Sequence, residues 1–294
     1  MAASFKGMKI NPKSFHRSQI KFYAILLPMA LFVALPIIFI VFHAFKPTNE
    51  LFAFPPRFFV RNPTFANFRN LGRLAADGGI PFSRFLFNSL LVTGVGVFLS
   101  IMVTSTAAYG LSKLKFRGKK LLFEINTLAL MFVPIAVVIP RYLTVAQLGL
   151  IDNFLALILP LIAIPVGLFL VKQFIDQTPN EIIESAKIDG ASEMQVFLKI
   201  VFPVILPAIA TVGILSFQLL WNDISGSLLF INDDSMRTLA FYFSTLATMP
   251  GQGNPIAGQG MMAAASLIMF VPNIVIFIFL QSKVMNTMAH SGIK

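Results

Sequence analysis

The residues best placed to do chemistry lie between Thr178 and Pro203, in the stretch TPNEIIESAKIDGASEMQVFLKIVFP. Glu181, Glu184, Asp189 and Glu193 are four of the chain's twelve acidic residues, and Lys187 and Lys199 sit among them. Thr178-Pro179-Asn180-Glu181 reads as an N-cap, a proline in the first helical position and a glutamate in the third, a capping box. Gly190 offers a left-handed stop, and Ser192 with Gln195 starts a second helix in the same way. Ile182, Ile183 and Ala186 are expected on one face of the first helix, with Glu181, Glu184 and Lys187 towards another. Such a helix between two long apolar segments suits pressing on a partner outside the membrane. A second polar group, Gln218, Trp221, Asn222 and Asp223, closes an apolar run. Tryptophan at a membrane interface is ordinary, while Gln and Asn beside an aromatic face also suit sugar hydroxyls and a sugar ring. Both readings stay open.

Several chemistries find no residues to perform them. Without cysteine there are no disulfides, thiolate metal sites or thiol nucleophiles. His16, His43 and His290 are far apart and fall on different sides or tails, so no metal site is expected. No GxxxxGK[ST] phosphate loop occurs, so the chain is expected to bind no nucleotide cofactor and to hydrolyse none. The apolar runs hold almost no ionisable groups, Glu124 and Arg141 lying near ends, which argues against an ion-driven carrier. No catalytic pair is found. The chain reads as a transport pathway rather than an enzyme.

The elements that position these residues follow from composition. Of 294 residues 56% are hydrophobic and 12% charged, with mean hydropathy +0.80; a soluble domain carries about twice that charge. Six apolar runs, about 22–45, 85–111, 121–141, 154–171, 204–221 and 261–281, are each long enough to cross a bilayer at ~20 residues apiece. The expected fold is all-α: a polytopic membrane protein of six transmembrane helices. The first run does not begin at the terminus and no small-residue cleavage site follows it, so no removable signal peptide is expected.

The net charge of +11 sorts by side. With the N-terminus inside, fifteen basic residues fall on the inner face, among them Lys6 to Lys21, Lys113 to Lys120, Lys172, Lys187 and Lys199. Eight fall outside, satisfying the positive-inside bias. Both termini and residues 178–203 are thereby placed in the cytoplasm. Residues 1–21 read as a basic leader held at anionic lipid headgroups, and 22–294 as the membrane domain. Nucleic-acid binding is the weaker use of this charge, because no compact soluble domain remains to present a basic face.

Two outer loops are expected, 46–83 and 222–260. The first is rich in phenylalanine and has a local balance of about +4, from Lys46 and the arginines between Arg57 and Arg84. It reads either as Phe packing on neighbouring helices with Arg at headgroups, or as an electropositive entrance for an acidic partner or solute. The second ends in MPGQGNPIAGQG, where Gly251, Gln252, Gly253, Asn254 and Gly258 suit a mobile linker or an inserted probe. Pro28 and Pro36 predict a kink in the first span. Pro134, Pro140, Pro160 and Pro165 hint at irregular backbone beside a wet pathway. Gly96, Ser100, Thr104 and Ala108, four apart, predict close helix–helix approach.

Glu184-Ser185-Ala186-Lys187-Ile188-Asp189-Gly190-Ala191, followed by Phe197, Ile200 and Pro203, resembles the EAA loop of binding-protein-dependent ABC importer permeases. The resemblance covers nearly the whole chain and points to the carbohydrate branch. Asn88-Ser89-Leu90, Ala108-Tyr109-Gly110, Lys115-Phe116-Arg117-Gly118, Pro134 to Pro140, Leu148-Gly149-Leu150 and Trp221-Asn222-Asp223 fall in family order. The chain is similar to the MalG-like partner of the maltose-type heterodimer. The resemblance implies a type I importer permease fold in a bacterial inner membrane. It implies as partners a second homologous permease, a cytoplasmic ATPase dimer using ATP and Mg, a periplasmic solute-binding protein, an oligosaccharide and membrane lipid. Glu181, Glu184, Ala186, Lys187, Asp189 and Gly190 would then couple to the ATPase, with Glu184 as the acidic contact and Gly190 as the turn. Ser185 replaces the family's second alanine. The tail from Thr287 to Lys294 resembles the end that reaches into the ATPase dimer, although His290 and Ser291 depart from its glycine-rich pattern. Gly251 to Gly258 lie where such subunits reach towards the binding protein. For the substrate, the arginine-rich outer loop suits acidic oligosaccharides of the alginate type; a neutral oligosaccharide is the rival.

Overall fold

The computed structural model describes residues 4–5, 8–9, 19–248 and 255–291, and the side chains of 19–246 and 258–281. Apart from a two-residue antiparallel pairing of Ser4–Phe5 with Met8–Lys9, the regular structure among them is helical. The described residues form two compact units, one up to residue 70 with 255–267, the other from 71 to 248 with 268–291.

In the first unit, α1 (Ile20–Phe45) is 26 residues long, ~39 Å at 1.5 Å per residue, enough for a hydrocarbon core of ~30 Å. The helix continues through Pro28 and Pro36, so neither ends it as a hard break would. Its side chains are largely exposed, as a lipid-facing helix requires, and Ala44 near its end is buried. The expected loop beyond it is ordered by polar contacts. Lys46 is buried and its ammonium donates to the Arg57 carbonyl. In α2 (Thr48–Leu51), the Glu50 carboxylate accepts the Arg61 N–H at 3.0 Å and the Asn62 N–H at 2.8 Å. The Arg61 N–H, foremost, holds that carboxyl below its ordinary pKa. Asn67 donates to the Ala44 and Lys46 carbonyls at 2.9 Å each. Phe42 meets Phe59 edge-on at 5.1 Å, and Phe45 meets Phe65 and Phe68 at 5.3 Å. The packing role read for these phenylalanines is therefore present.

After α3 (Ala66–Asp77), the second unit is built on α4 (Phe82–Lys113), a 32-residue helix that packs against α7, α8, α12 and α14. These are α7 (Phe154–Ile162), α8 (Pro165–Asp176), α12 (Leu206–Trp221) and α14 (Leu239–Thr248), with α5 (Lys119–Ala129) and α6 (Val138–Gln147) between α4 and α7. The small-residue stripe does what its spacing predicts. Ser100, Thr104 and Ala108 are buried, and a Cβ built at Gly96 would lie 2.5 Å from Leu220 Cδ1 of α12. A side chain at position 96 would require the Leu220 side chain to move, so the missing Cβ eases the approach of the two helices.

Among the described residues three helices are individually long and apolar enough to cross a membrane, and up to six spans result if each of three bent pairs counts as one. Residues 119–129 and 134–147 meet at 113°, 154–162 and 165–176 at 46°, and 193–204 and 206–221 at 80°. The third and fourth spans are thus bent at a break rather than merely kinked, and the fifth, α12, is entered through the bend at Ile205, with Pro134, Pro165 and Pro207 each just beyond. Proline removes a backbone donor and clashes with the preceding turn, so it starts the second half more readily than it continues the first. The expected loop at 222–260 is mostly helical: α13 (Ser225–Phe230), a 3-10 turn at Asp234–Met236, and α14. The last helix, α15 (Pro255–Ser291), starts before and ends beyond the span expected at 261–281.

Candidate functional site

The 178–203 stretch contains α9 (Asn180–Ile188) and α10 (Glu193–Val196), with a sharp turn between them. Gly190 sits at φ +85°. Its N–H bonds to the Lys187 carbonyl at 3.1 Å, and the Ala191 N–H reaches back to the Ala186 carbonyl at 2.9 Å. These are the paired bonds of a Schellman C-cap, which needs a left-handed residue. Ser192 and Gln195 form the expected capping box: Gln195 N–H donates to Ser192 Oγ, and the Gln195 side chain accepts the Ser192 N–H. The box expected at Thr178 is absent. The helix begins at Asn180, no side chain caps it, and Thr178 Oγ1 is buried without a partner among the described residues. A residue preceding proline is kept out of the α region, and here the Lys113 ammonium takes the Thr178 carbonyl at 2.6 Å.

The face assignment needs one correction. Ile183 is buried and Ala186 partly so, both on a core shared with Tyr109, Ile175, Val196, Phe197 and Val201. Ile182, expected beside them, is 49% exposed, and Ile188 is 86% exposed. One residue step turns a helix by ~100°, so Ile182 and Ile183 cannot both face inward on a narrow contact. Outward stand Glu181, Ile182, Glu184, Lys187, Ile188 and Asp189: acids framing two isoleucines. Beyond α10 the backbone widens into a π-helical turn, Phe197–Val201, whose following N–H at Phe202 bonds to the Phe197 carbonyl. Then comes α11 (Phe202–Val204) and the 80° bend into α12.

At the far end of α12 the four polar residues separate. Gln218 and Asn222, one turn apart, are exposed, and the Asn222 amide donates to the Gln218 carbonyl at 2.9 Å. Trp221 points the other way. It is 2% exposed, stacks on Phe217 at 5.6 Å and donates its indole N–H to the Met269 carbonyl at 3.1 Å. The reading of Trp221 as a platform for a sugar ring is therefore replaced by a core role; no sequence signal distinguished the two. Asp223 is partly buried, which raises its pKa, against the opposing pull of the Gly226 N–H at 3.0 Å and the charge of Arg141. A Cβ at Gly226 would collide with the Asp223 carboxylate.

Gly251, Gln252, Gly253 and Asn254 lie outside the described residues, as do the side chains of the tail from Thr287, including His290 and Ser291. Gly258 falls inside α15 and not in a loop. The arginines expected on the outer side are partly engaged: Arg237 pairs with Asp234 at 2.9 Å and lies over the Phe241 ring, and Arg84 donates to the Ser235 carbonyl.

A broken-helix membrane core with a capped helical turn projecting from it is a transporter architecture. Residues 96–282 match the family described as "Binding-protein-dependent transport system inner membrane component", and the chain belongs to that family. The polygalacturonan/rhamnogalacturonan transport system permease protein YtcP of Bacillus subtilis is 30% identical over 273 residues, covering 88% of this chain and 92% of that one. The arabinooligosaccharides transport system permease protein AraQ of the same organism is 29% identical over 285 residues, covering 95% and 99%. A crystal structure of a bacterial ABC transporter involved in import of the acidic polysaccharide alginate superposes with TM-score 0.77. It shares 21% identity and covers 92% of this chain and 99% of the matched chain. The fold is that of an ABC transporter permease.

Proposed function

We propose that this chain is one half of the membrane pore of an ATP-driven importer in a bacterial inner membrane. It works beside a second homologous permease, receives oligosaccharide from a periplasmic solute-binding protein, and is driven by a cytoplasmic ATPase dimer that uses ATP and Mg. Both termini and the 178–203 stretch lie in the cytoplasm. The observation that carries the reading is α9, a helix fixed at its C-terminal end by Gly190 and anchored on the core by Ile183. It holds Glu184 and the exposed Ile182 and Ile188 outward. Exposed isoleucines ringed by acids fit a hydrophobic socket rimmed by basic residues better than they fit water. Glu181, Glu184, Ala186, Lys187, Asp189 and Gly190 form this coupling element, Ala186 from the inner side.

Gln218, Asn222 and Asp223 are the pathway candidates, their amides and carboxylate suiting hydroxyl groups. Gly251 to Asn254, with Gly258, are assigned to contact with the binding protein. The substrate is an acidic oligosaccharide, a reading supported by the basic outer segments and by the uronate polymers named for YtcP and the alginate importer. A neutral oligosaccharide is the second reading, favoured by the arabino-oligosaccharides named for AraQ at similar identity. The test is reconstitution of the complete complex with its binding protein, followed by substrate-stimulated ATP hydrolysis and uptake over matched uronate and neutral oligosaccharides. Stimulation by uronates alone supports the acidic assignment, and stimulation by neutral sugars alone overturns it. Uptake without the ATPase would overturn the importer reading itself.

A further inference from the structure

Two side chains one turn apart on α4 hold the α9–α10 pair, Lys113 at the start of α9 and Tyr109 at the start of α10. The Tyr109 hydroxyl donates at 2.7 Å to Oε2 of Glu193, the first residue of α10, and the other oxygen of that carboxylate pairs with Lys187 near the C-terminal end of α9. At its N-terminal end, the Lys113 ammonium donates to the Thr178 carbonyl at 2.6 Å and to Asn180 Oδ1 at 2.8 Å. Tyr109 is 6% exposed and its ring packs on Phe197 at 5.3 Å, so its hydroxyl is aimed by the core and not by solvent. The i, i+4 spacing puts both groups on one face of α4.

The opposite end of the same helix is also tied. Asn88, fully buried, donates to the Ser235 and Arg237 carbonyls at 2.8 and 2.9 Å, and Ser89 Oγ accepts the Leu239 N–H at 2.7 Å. From Asn88 to Lys113 the helix runs without a break, unlike the third and fourth spans.

We propose that α4 is a connecting rod, in which Lys113 grips α9 directly and Tyr109 grips it through Glu193 of α10, and Asn88 and Ser89 deliver the movement to the segment Ser235–Leu239. This rests on the reading that α9 takes up the stroke of the ATPase. Tyr109 and Lys113 are positioning residues: they touch neither solute nor nucleotide. A two-point grip transmits both translation and rotation, whereas one point lets α9 pivot. Each single loss is therefore small and the double loss is larger than the product of the two.

The chain contains no cysteine, so N232C, at an exposed position beside Ser235, accepts one fluorescent label. In the reconstituted complex three quantities are measured: ATPase co-purification, solute imported per ATP hydrolysed, and the ATP-driven change in label emission. Y109F, which keeps the ring on Phe197, and K113M each lower the transport ratio less than twofold. The double variant lowers it about fivefold or more, the ratio expected when one hydrogen bond's worth of positioning is lost. It also abolishes the label response while the ATPase still co-purifies. E193Q leaves one acceptor oxygen for Tyr109 but loses the charged pair with Lys187, so it lowers the transport ratio as a single loss does. If the double variant does not assemble, Y109F with K113A, which takes away the ammonium that reaches both the Thr178 carbonyl and Asn180 Oδ1, removes the same two points and is read in the same way. E184K serves as the control for α9 itself. If E184K uncouples but the double variant keeps both its ratio and its label response, the rod is overturned and the coupling role of α9 stands. If E184K changes nothing, the coupling role fails and the rod fails with it.

Discussion

Gly190 permits a prediction whose size follows from geometry. Its φ of +85° lies where L-residues are strained, and a Cβ built on it meets nothing within 4 Å. The cost of a side chain is therefore purely a backbone cost, with no packing term. An ordinary L-residue in the left-handed region costs about 1–2 kcal/mol, and replacing glycine with alanine returns roughly 0.4–1 kcal/mol through the unfolded chain. G190A should destabilise the turn by about 1 kcal/mol net, G190N by less because asparagine tolerates this region, and G190V by more. The alternative to strain is loss of the two C-capping bonds. Hydrogen exchange at the Ala191 amide, which is bonded to the Ala186 carbonyl, reports that opening directly. About 1 kcal/mol corresponds to roughly fivefold faster exchange in G190A. Solute imported per ATP should fall in the order wild type, asparagine, alanine, valine. Equal exchange in the alanine and asparagine variants would show that backbone strain is not what Gly190 relieves.

Glu184 is exposed on α9, so E184K should leave membrane insertion and thermal stability unchanged. A reversed charge against a basic socket weakens docking by about 2 kcal/mol or more, read as lost uptake with ATP hydrolysis continuing; intact coupling refutes the contact. At Gly96, G96A forces a methyl against Leu220, an overpacking cost of about 1–3 kcal/mol. Adding L220A should recover part of the lost thermal stability, and an additive loss would refute the close-approach argument. Asp223 has a raised pKa in the folded state, caused first by burial. Folding therefore takes up a proton between the ordinary and the raised pKa, and stability falls as pH rises through that window. D223N, still able to accept the Gly226 N–H, should melt higher than wild type above the window and equal to it below pH ~3.8. A lower melting temperature for D223N at neutral pH would reverse the assignment.

The sequence was most informative where one residue type admits one geometry. Gly190 and the Ser192–Gln195 pair declared the turn because only glycine is at ease at that φ and only a short acceptor side chain closes that box. Gly96 to Ala108 declared a close helix–helix contact through residue size, but not that α12 is the helix met at Gly96. Hydropathy located the apolar runs but not their breaks. Pro28 and Pro36 lie inside a continuous helix while Pro165 and Pro207 follow breaks, so the presence of proline in an apolar run does not by itself mark a break. Long-range polar contacts were illegible. Nothing local to Lys113 points to a carbonyl 65 positions away, and Trp221 carries the same indole whether it meets lipid, sugar or the Met269 carbonyl. The buried Lys46 and Glu50 read as loop charges because their partners are backbone groups.

The π turn at Phe197–Val201 has a consequence for insertions and deletions. A single wide turn holds one residue more than the α-helix around it needs. Removing one residue elsewhere in a helix rotates everything downstream by ~100° and would turn the buried Val212 and Leu220 of α12 away from their contacts. Removing one residue inside the wide turn lets it relax to ordinary α-helical spacing, with the downstream faces almost where they were. The segment between α10 and the bend at Ile205 is thus a place where chain length can change by one without scrambling the span that follows. What such a deletion would alter is the backbone between the coupling turn and that span, separating the length of the connection from the identity of its side chains.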